Sequence, residues 1–145
     1  MELFIDADGC PVTNLAIGLA KRYGLPCTLI CDTAHEICRD GAKTITVSKG
    51  ADSADFALVN LVKPGDLVVT QDYGLAAMCL SRGAVPIHQD GMVYTNENID
   101  SLLFFRAAAK KVRNAGGRLK GPSKRTKEQD RAFEAALTRL LEARP

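Results

Sequence analysis

Residues Gly50 to Ala77 read GADSADFALVNLVKPGDLVVTQDYGLAA. Asp52 and Asp55 stand three residues apart at the head of an apolar-periodic run, Phe56, Leu58, Val59, Leu61 and Val62. That spacing predicts a helix with both carboxylates on one face of its first turn. Pro64-Gly65 turns the chain, and the continuous apolar stretch within Asp66 to Thr70 predicts a buried strand. Asp72 follows at once, where a second helix begins and runs to Ser81, with Gly83 as its stop. Helix, strand and helix in direct succession are the repeating unit of an α/β fold built on a parallel sheet.

The same alternation extends outward in both directions. Glu2 to Ile5 predicts a first strand, with Asp6 and Asp8 in the turn behind it. Pro11 suits the first turn of a helix whose buried side is Leu15, Ile17, Leu19 and Ala20 and which ends at Gly24. Leu25 to Cys31 and Thr44 to Val47 predict two further strands. Between them, Asp32 to Asp40 fits either a short helix capped by Thr33 or a loop. Asp52 or Ser53 caps the helix that runs to Val62. Ala84 to His88 predicts a fifth strand, and Met92 to Tyr94 a short extra one. Asn96 or Asn98 caps a helix to about Asn114, which Gly116-Gly117 breaks. Thr126 caps a last helix with Phe133, Leu137, Leu140 and Leu141 on its apolar face. The expected fold is a single α/β domain over residues 1–145. Its sheet is five-stranded, mostly parallel and in the order 3-2-1-4-5, with a core over about 1–95 and a helical, basic C-terminal arm over about 96–145.

Composition bounds the function. The 145 residues are 46% hydrophobic and 25% charged, ordinary for a globular chain. No apolar run approaches the ~20 residues of a membrane span, and no leader peptide is visible, so a cytoplasmic protein is expected. The five cysteines are odd in number and match no C-x2-C pattern, which points to free thiols, with Cys27 and Cys31 on one face of their strand. His35 and His88 read as structural or surface groups. Charge is uneven. From Arg106 to Arg131 ten basic residues face two acids, a net of +8, so the rest of the chain carries −6 of the overall +2. An acidic pocket beside a basic arm suits a metal-dependent enzyme acting on a polyanion.

The acids carry the chemistry. Asp6, Asp8, Asp52, Asp55 and Asp72 all fall at expected strand ends or helix starts, and an open α/β sheet places its ligand site at that edge. Each alone also fits a cap or a turn. Together, with no His among them, they are the oxygen donors of a Mg²⁺ or Mn²⁺ site. Two-metal phosphodiester hydrolysis uses about four carboxylates, which this set meets.

Three resemblances sharpen the reading. LFIDADGCPV resembles the first motif of haloacid-dehalogenase phosphatases, which implies Asp6 as a nucleophile and Asp8 as a general acid; Cys10 stands where that family has Thr. GADSADFALVNLV…GDLVVTQDYGLAAMCLSRGAVPI resembles the second half of a PIN domain through Asp55 (or Asp52), Thr70, Asp72, Leu75 and Ala76, with Asp6 matching the acid that ends the first PIN strand. Glu36 is the nearest counterpart of the further PIN glutamate and is left unassigned. Over nearly the whole chain, D-A-D-x-C-P at Asp6 to Pro11, A-D-x-A-D at Ala51 to Asp55, G-D-L-V-V-T-x-D at Gly65 to Asp72, YTNENID at Tyr94 to Asp100, Arg106, Gly121-Pro122 and D-R-x-x-F at Asp130 to Phe133 resemble the uncharacterised bacterial YaiI/YqxD family. The last two imply a PIN-like domain. The expected activity is Mg²⁺- or Mn²⁺-dependent cleavage of RNA or single-stranded DNA, with Asp6, Asp55 and Asp72 catalytic and Asp8 and Asp52 as further metal ligands. Thr70, Arg106, Arg118, Lys120, Lys124 and Arg125 are expected on the substrate, and Tyr73 and Tyr94 are candidates for stacking on bases. The alternatives are a noncatalytic PIN-like nucleic-acid-binding protein and a small phosphatase with Asp6 as nucleophile.

Overall fold

The computed structural model describes residues 1–32, 38–48, 53–116 and 124–144. Glu36, Asp52, Arg118, Lys120 and most of the segment after Asp32 lie outside them. The elements are β1 (Leu3–Asp6), α1 (Thr13–Arg22), β2 (Cys27–Asp32), β3 (Lys43–Val47), α2 (Ser53–Leu61), β4 (Leu67–Val69), α3 (Tyr73–Ser81), β5 (Val85–Ile87), α4 (Asn96–Asn114) and α5 (Lys127–Glu142). The strands form one parallel sheet in the order β3-β2-β1-β4-β5. This is the expected order.

Strand alternation sorts the side chains into two cores. Leu3, Ile5, Cys27, Leu29, Cys31, Leu67 and Val69 face α1 and α5, while Phe4, Ile30 and Val68 face α2 and α3. Cys27 and Cys31 do share a face. The central strands are apolar on both sides because helices cover both, whereas edge strand β3 is only half covered. α4 lies outside α3, held by Ile99 on Ala76 and Tyr94 with Leu102 and Leu103 alongside.

Several local expectations change. Pro11 does not begin α1, which starts at Thr13, and Pro11 stays in the preceding turn. Met92 to Tyr94 forms no strand beyond a single antiparallel bridge between Ile87 and Val93. Neither Asn96 nor Asn98 caps α4. Thr95 does, accepting from the Asn98 N–H at 3.1 Å, while the Asn98 side chain accepts from the Thr95 N–H at 2.9 Å. This is a reciprocal capping box in which Asn serves where Glu or Gln is usual.

The C-terminal helix is not an appendage. Phe133, Ala136, Leu137 and Leu141 of α5 are buried against α1 in the larger core. Its start is tied to the turn after β5: the Arg125 guanidinium donates to Asp130 Oδ1 at 2.7 Å, Asp90 Oδ1 at 2.6 Å and the Gln89 carbonyl at 2.7 Å. Gly91, at φ +96°, lies so close to α5 that a Cβ would come within 2.6 Å of the Ala132 carbonyl oxygen. Phe133→Ala should therefore cost about 3–5 kcal/mol in urea unfolding, while Phe104→Ala, on the exposed part of α4, should stay within about 0.5 kcal/mol. Similar small losses for both would remove α5 from the core.

Candidate functional site

β1 and β4 run side by side, with Ile5 level with Val69. Both therefore release their chains at the same edge, Asp6 from one and Thr70 from the other. The sheet order reverses here: β2 and β3 continue outward from β1, and β5 continues outward from β4. Such a crevice is where open α/β sheets hold ligands.

Thr70 is the hub of the edge. It is only 2% exposed, and each of its polar atoms is engaged. The backbone N–H donates to the Ile87 carbonyl at 3.1 Å, and the carbonyl accepts from the Tyr94 hydroxyl at 3.1 Å. The hydroxyl donates to Asp6 Oδ2 at 2.9 Å and accepts from the Asp72 N–H at 3.0 Å. One hydroxyl thus uses its donor on one acid and its acceptor on the backbone of the next.

Asp72 is the N-cap of α3. Its Oδ1 accepts from the Gly74 N–H at 2.8 Å and the Leu75 N–H at 3.2 Å, where the helix's positive end favours a carboxylate. The same oxygen accepts from Arg106 Nη1 at 3.2 Å. A Cβ at residue 74 would crowd that approach, lying 3.1 Å from Arg106 Nη1 and 3.3 Å from Asp72 Oδ1. Sequence reasoning named Arg106 but missed Gly74; a glycine inside the first turn of a helix, where it is costly, was the available signal.

Asp8 lies one turn beyond β1, its oxygens accepting from the Asp32 N–H at 3.2 and 3.4 Å. It fastens the β1 turn to the end of β2. Gly9, at φ +69°, lets that turn close. Asp55 is in the first turn of α2, where its charge and that of Asp6 both act on the buried Cys79 thiol. Asp6 and Asp72 thus meet at the β1/β4 crevice through Thr70, Asp8 is held at the end of β2, and Asp55 lies in the first turn of α2. Among the described residues, no group of three or more His, Cys, Asp or Glu is arranged to hold a metal ion.

The electrostatics centre on Asp6. Burial pushes its carboxyl up to about 6, Thr70 pulls it partway back, and the charges of Asp72 and Asp8 raise it further. The cysteines here are not activated. Burial raises the Cys10 thiol, and burial together with Asp55 and Asp6 pushes Cys79 up to about 12.

Of the expected substrate residues, Lys124 is exposed and Arg106 half-exposed beside the acids. Arg125 is spent on Asp90, Asp130 and Gln89. His88 turns Nδ1 to the Asp90 N–H at 3.0 Å, a structural role as expected. Tyr94 is 1% exposed, so it holds Thr70 and cannot stack on bases.

The model of the uncharacterised YaiI/YqxD family matches residues 4–143. The chain belongs to the YaiI/YqxD family. A UPF0178 protein of Exiguobacterium sibiricum is 55% identical over 141 residues, covering 97% of this chain and 96% of that protein. UPF0178 proteins of Ruminiclostridium cellulolyticum and Clostridium acetobutylicum are 51% and 48% identical over 138 and 143 residues, covering 94% and 97% of this chain and 90% and 97% of theirs. No solved structure matches. Among the described residues, no helix of this YaiI/YqxD protein is long and apolar enough to cross a membrane.

A raised carboxyl has a defined effect on stability. Asp6 shifts from 3.8 to about 6, so the folded state binds the extra proton between those values and stability falls as pH rises through that window. The penalty is absent below the unfolded value and complete above about pH 6. Asp6→Asn retains an acceptor for Thr70 and carries no charge. With chelator present, its stability relative to the parent should improve between pH 4 and pH 7.5 in paired urea titrations. A pH-independent difference would show that Asp6 is not electrostatically strained.

Proposed function

We propose that this YaiI/YqxD protein hydrolyses phosphodiester bonds of RNA or single-stranded DNA with Mg²⁺ or Mn²⁺. The observation that carries the reading is the joining of Asp6 and Asp72 through the Thr70 hydroxyl at the β1/β4 crevice, with Arg106 reaching in from α4. All-oxygen carboxylate donors suit a hard divalent cation, whose remaining positions are filled by water and substrate phosphate. Burial is the main reason that the Asp6 carboxyl is raised, with the charges of Asp72 and Asp8 adding to it, and a cation beside it would favour its ionised form.

In this reading Asp6, Asp8, Asp55 and Asp72 would supply the carboxylates, with Asp52, outside the described residues, proposed as a further ligand. A divalent cation bound there would supply Lewis-acid neutralisation of charge on the phosphate. Thr70 keeps the Asp6 carboxylate oriented and holds the start of α3 in place. Arg106 pairs with Asp72 in the free protein, and its guanidinium geometry suits a phosphate oxygen equally well. Lys124, with Arg118 and Lys120 of the preceding segment, offers flanking phosphate contacts. The likeness to PIN domains supports nucleic acid as the substrate, as an analogy of fold.

A second reading is a noncatalytic nucleic-acid binder on the same scaffold. Asp72 favours it, since its Oδ1 already caps α3 and pairs with Arg106.

Labelled single-stranded oligonucleotides incubated with Mn²⁺ or Mg²⁺ and resolved on a sequencing gel decide between them. Internal cleavage should appear, vanish with EDTA, and fall at least about a hundredfold in Asp6→Asn and in Asp72→Asn. Asn is itself a good N-cap, so Asp72→Asn leaves α3 intact. Binding without cleavage under all metal conditions selects the second reading, and cleavage that survives both substitutions overturns the first.

A further inference from the structure

α4 continues well past the helix it packs on. Ile99, Leu102 and Leu103 form its seam against α3, and Arg106 lies on that same face, four residues after Leu102, where it meets the Asp72 cap. From Ala107 to Asn114 the helix runs on for ~12 Å at 1.5 Å per residue. Arg106, Lys110 and Arg113, at i, i+4 and i+7, extend the seam as a ladder of positive charge. Lys111 adds a fourth cation, and no acid stands between Phe104 and Gly116.

The solvent side of α4 carries apolar groups at and beyond the seam's end. Phe104 and Phe105 are 70% and 66% exposed, with their rings 6.1 Å apart at 71°, and Val112 is exposed two turns on from them. Two adjacent exposed phenylalanines on a small protein without tryptophan need a reason, because a solvated helix face gains nothing from them. Charge limits what can cover them. Lys111 lies two turns on from Phe104 on the same side and Arg113 flanks the side of Phe105, so a polyanion with flat apolar rings satisfies both features.

We propose that the α4 overhang is a binding surface for single-stranded nucleic acid, with unpaired bases on Phe104 and Phe105 and backbone phosphates on Lys110, Lys111 and Arg113. Duplex bases are stacked on each other and present no free face, so the surface selects single strands. The proposal deepens the nuclease reading, because Arg106 joins the overhang to the acid crevice. Binding here is independent of metal, so it is tested apart from cleavage.

The experiment is fluorescence anisotropy of a labelled oligo(dT) and an oligo(U) of about 15 nucleotides in EDTA, across a salt series, with a duplex of matched length alongside. The parent should prefer both single strands to the duplex. Phe104→Ala/Phe105→Ala should lose at least tenfold in single-strand affinity with an unchanged salt slope. Lys110→Gln/Lys111→Gln/Arg113→Gln should flatten the log–log slope by about two units, at ~0.7 per phosphate. All these side chains are exposed, and circular dichroism melts verify that the variants fold. Unchanged affinity in the Phe variant overturns the proposal. So does parental self-association in sedimentation that the Phe variant abolishes, or Phe-dependent binding to phosphatidylserine vesicles without oligonucleotide binding. Loss of cleavage in Asp6→Asn with binding retained bears on the nuclease reading alone.

Discussion

Pairing of β1 with β4 is the constraint on which the rest depends. The two strands are parallel neighbours, yet the chain leaves β1 for α1 on one face and β4 for α3 on the other. Their ends therefore open rather than close over each other, and the crevice is an unavoidable product of the topology. The protein fills it with polar groups at some cost. Asp6 stands at the end of a strand whose three preceding residues are buried, and the Thr70 hydroxyl offsets part of the cost of its charge. The adjoining Asp72 is the opposite case, a carboxylate already matched to a helix terminus and an arginine.

That contrast explains how much of the molecule could be read from its residues. Strand order was legible because continuous apolar runs such as Leu67 to Val69 need helices on both faces, and the alternation of elements leaves few arrangements. Asp6 and Asp72 were legible as neighbours because the ends of adjacent parallel strands share one edge. The individual duties of the acids were not. Whether Asp8 faces the crevice or fastens the end of β2 depends on a backbone amide 24 residues away. Arg125 looked like one more cation in a basic run, but its partners Asp90 and Gln89 belong to a different element. Tyr94 was a candidate for stacking on bases, yet it is buried with Ala76 and Ile99. Charge counted along a sequence cannot distinguish a solvated cation from one already paired.

The supposed basic arm divides along the same line. α5 is a core helix whose Phe133 and Leu137 complete the layer begun by α1, and its cations lie on the outside as a consequence. The second half of α4 has no such layer beneath it. Two segments of similar composition therefore have different physical status, and apolar periodicity separates them better than charge. Phe133, Leu137 and Leu141 recur at helical spacing, whereas Phe104 and Phe105 are adjacent and cannot both point inward.

The position of α5 in chain order has a further consequence for how the protein comes to be. Its partner α1 follows the first strand, so more than 100 residues separate the two surfaces that bury each other. During synthesis, Ile17, Leu19 and their neighbours wait in a nascent chain whose covering helix has not yet been made. Contacts of such long sequence separation form late and slow the search for the native state. The sheet with α2 and α3 can assemble first, and docking of α5 is then a final, cooperative closure. Until that closure an apolar face of the intermediate is open to other chains, which makes the half-synthesised molecule, rather than the finished one, the form at risk of aggregation.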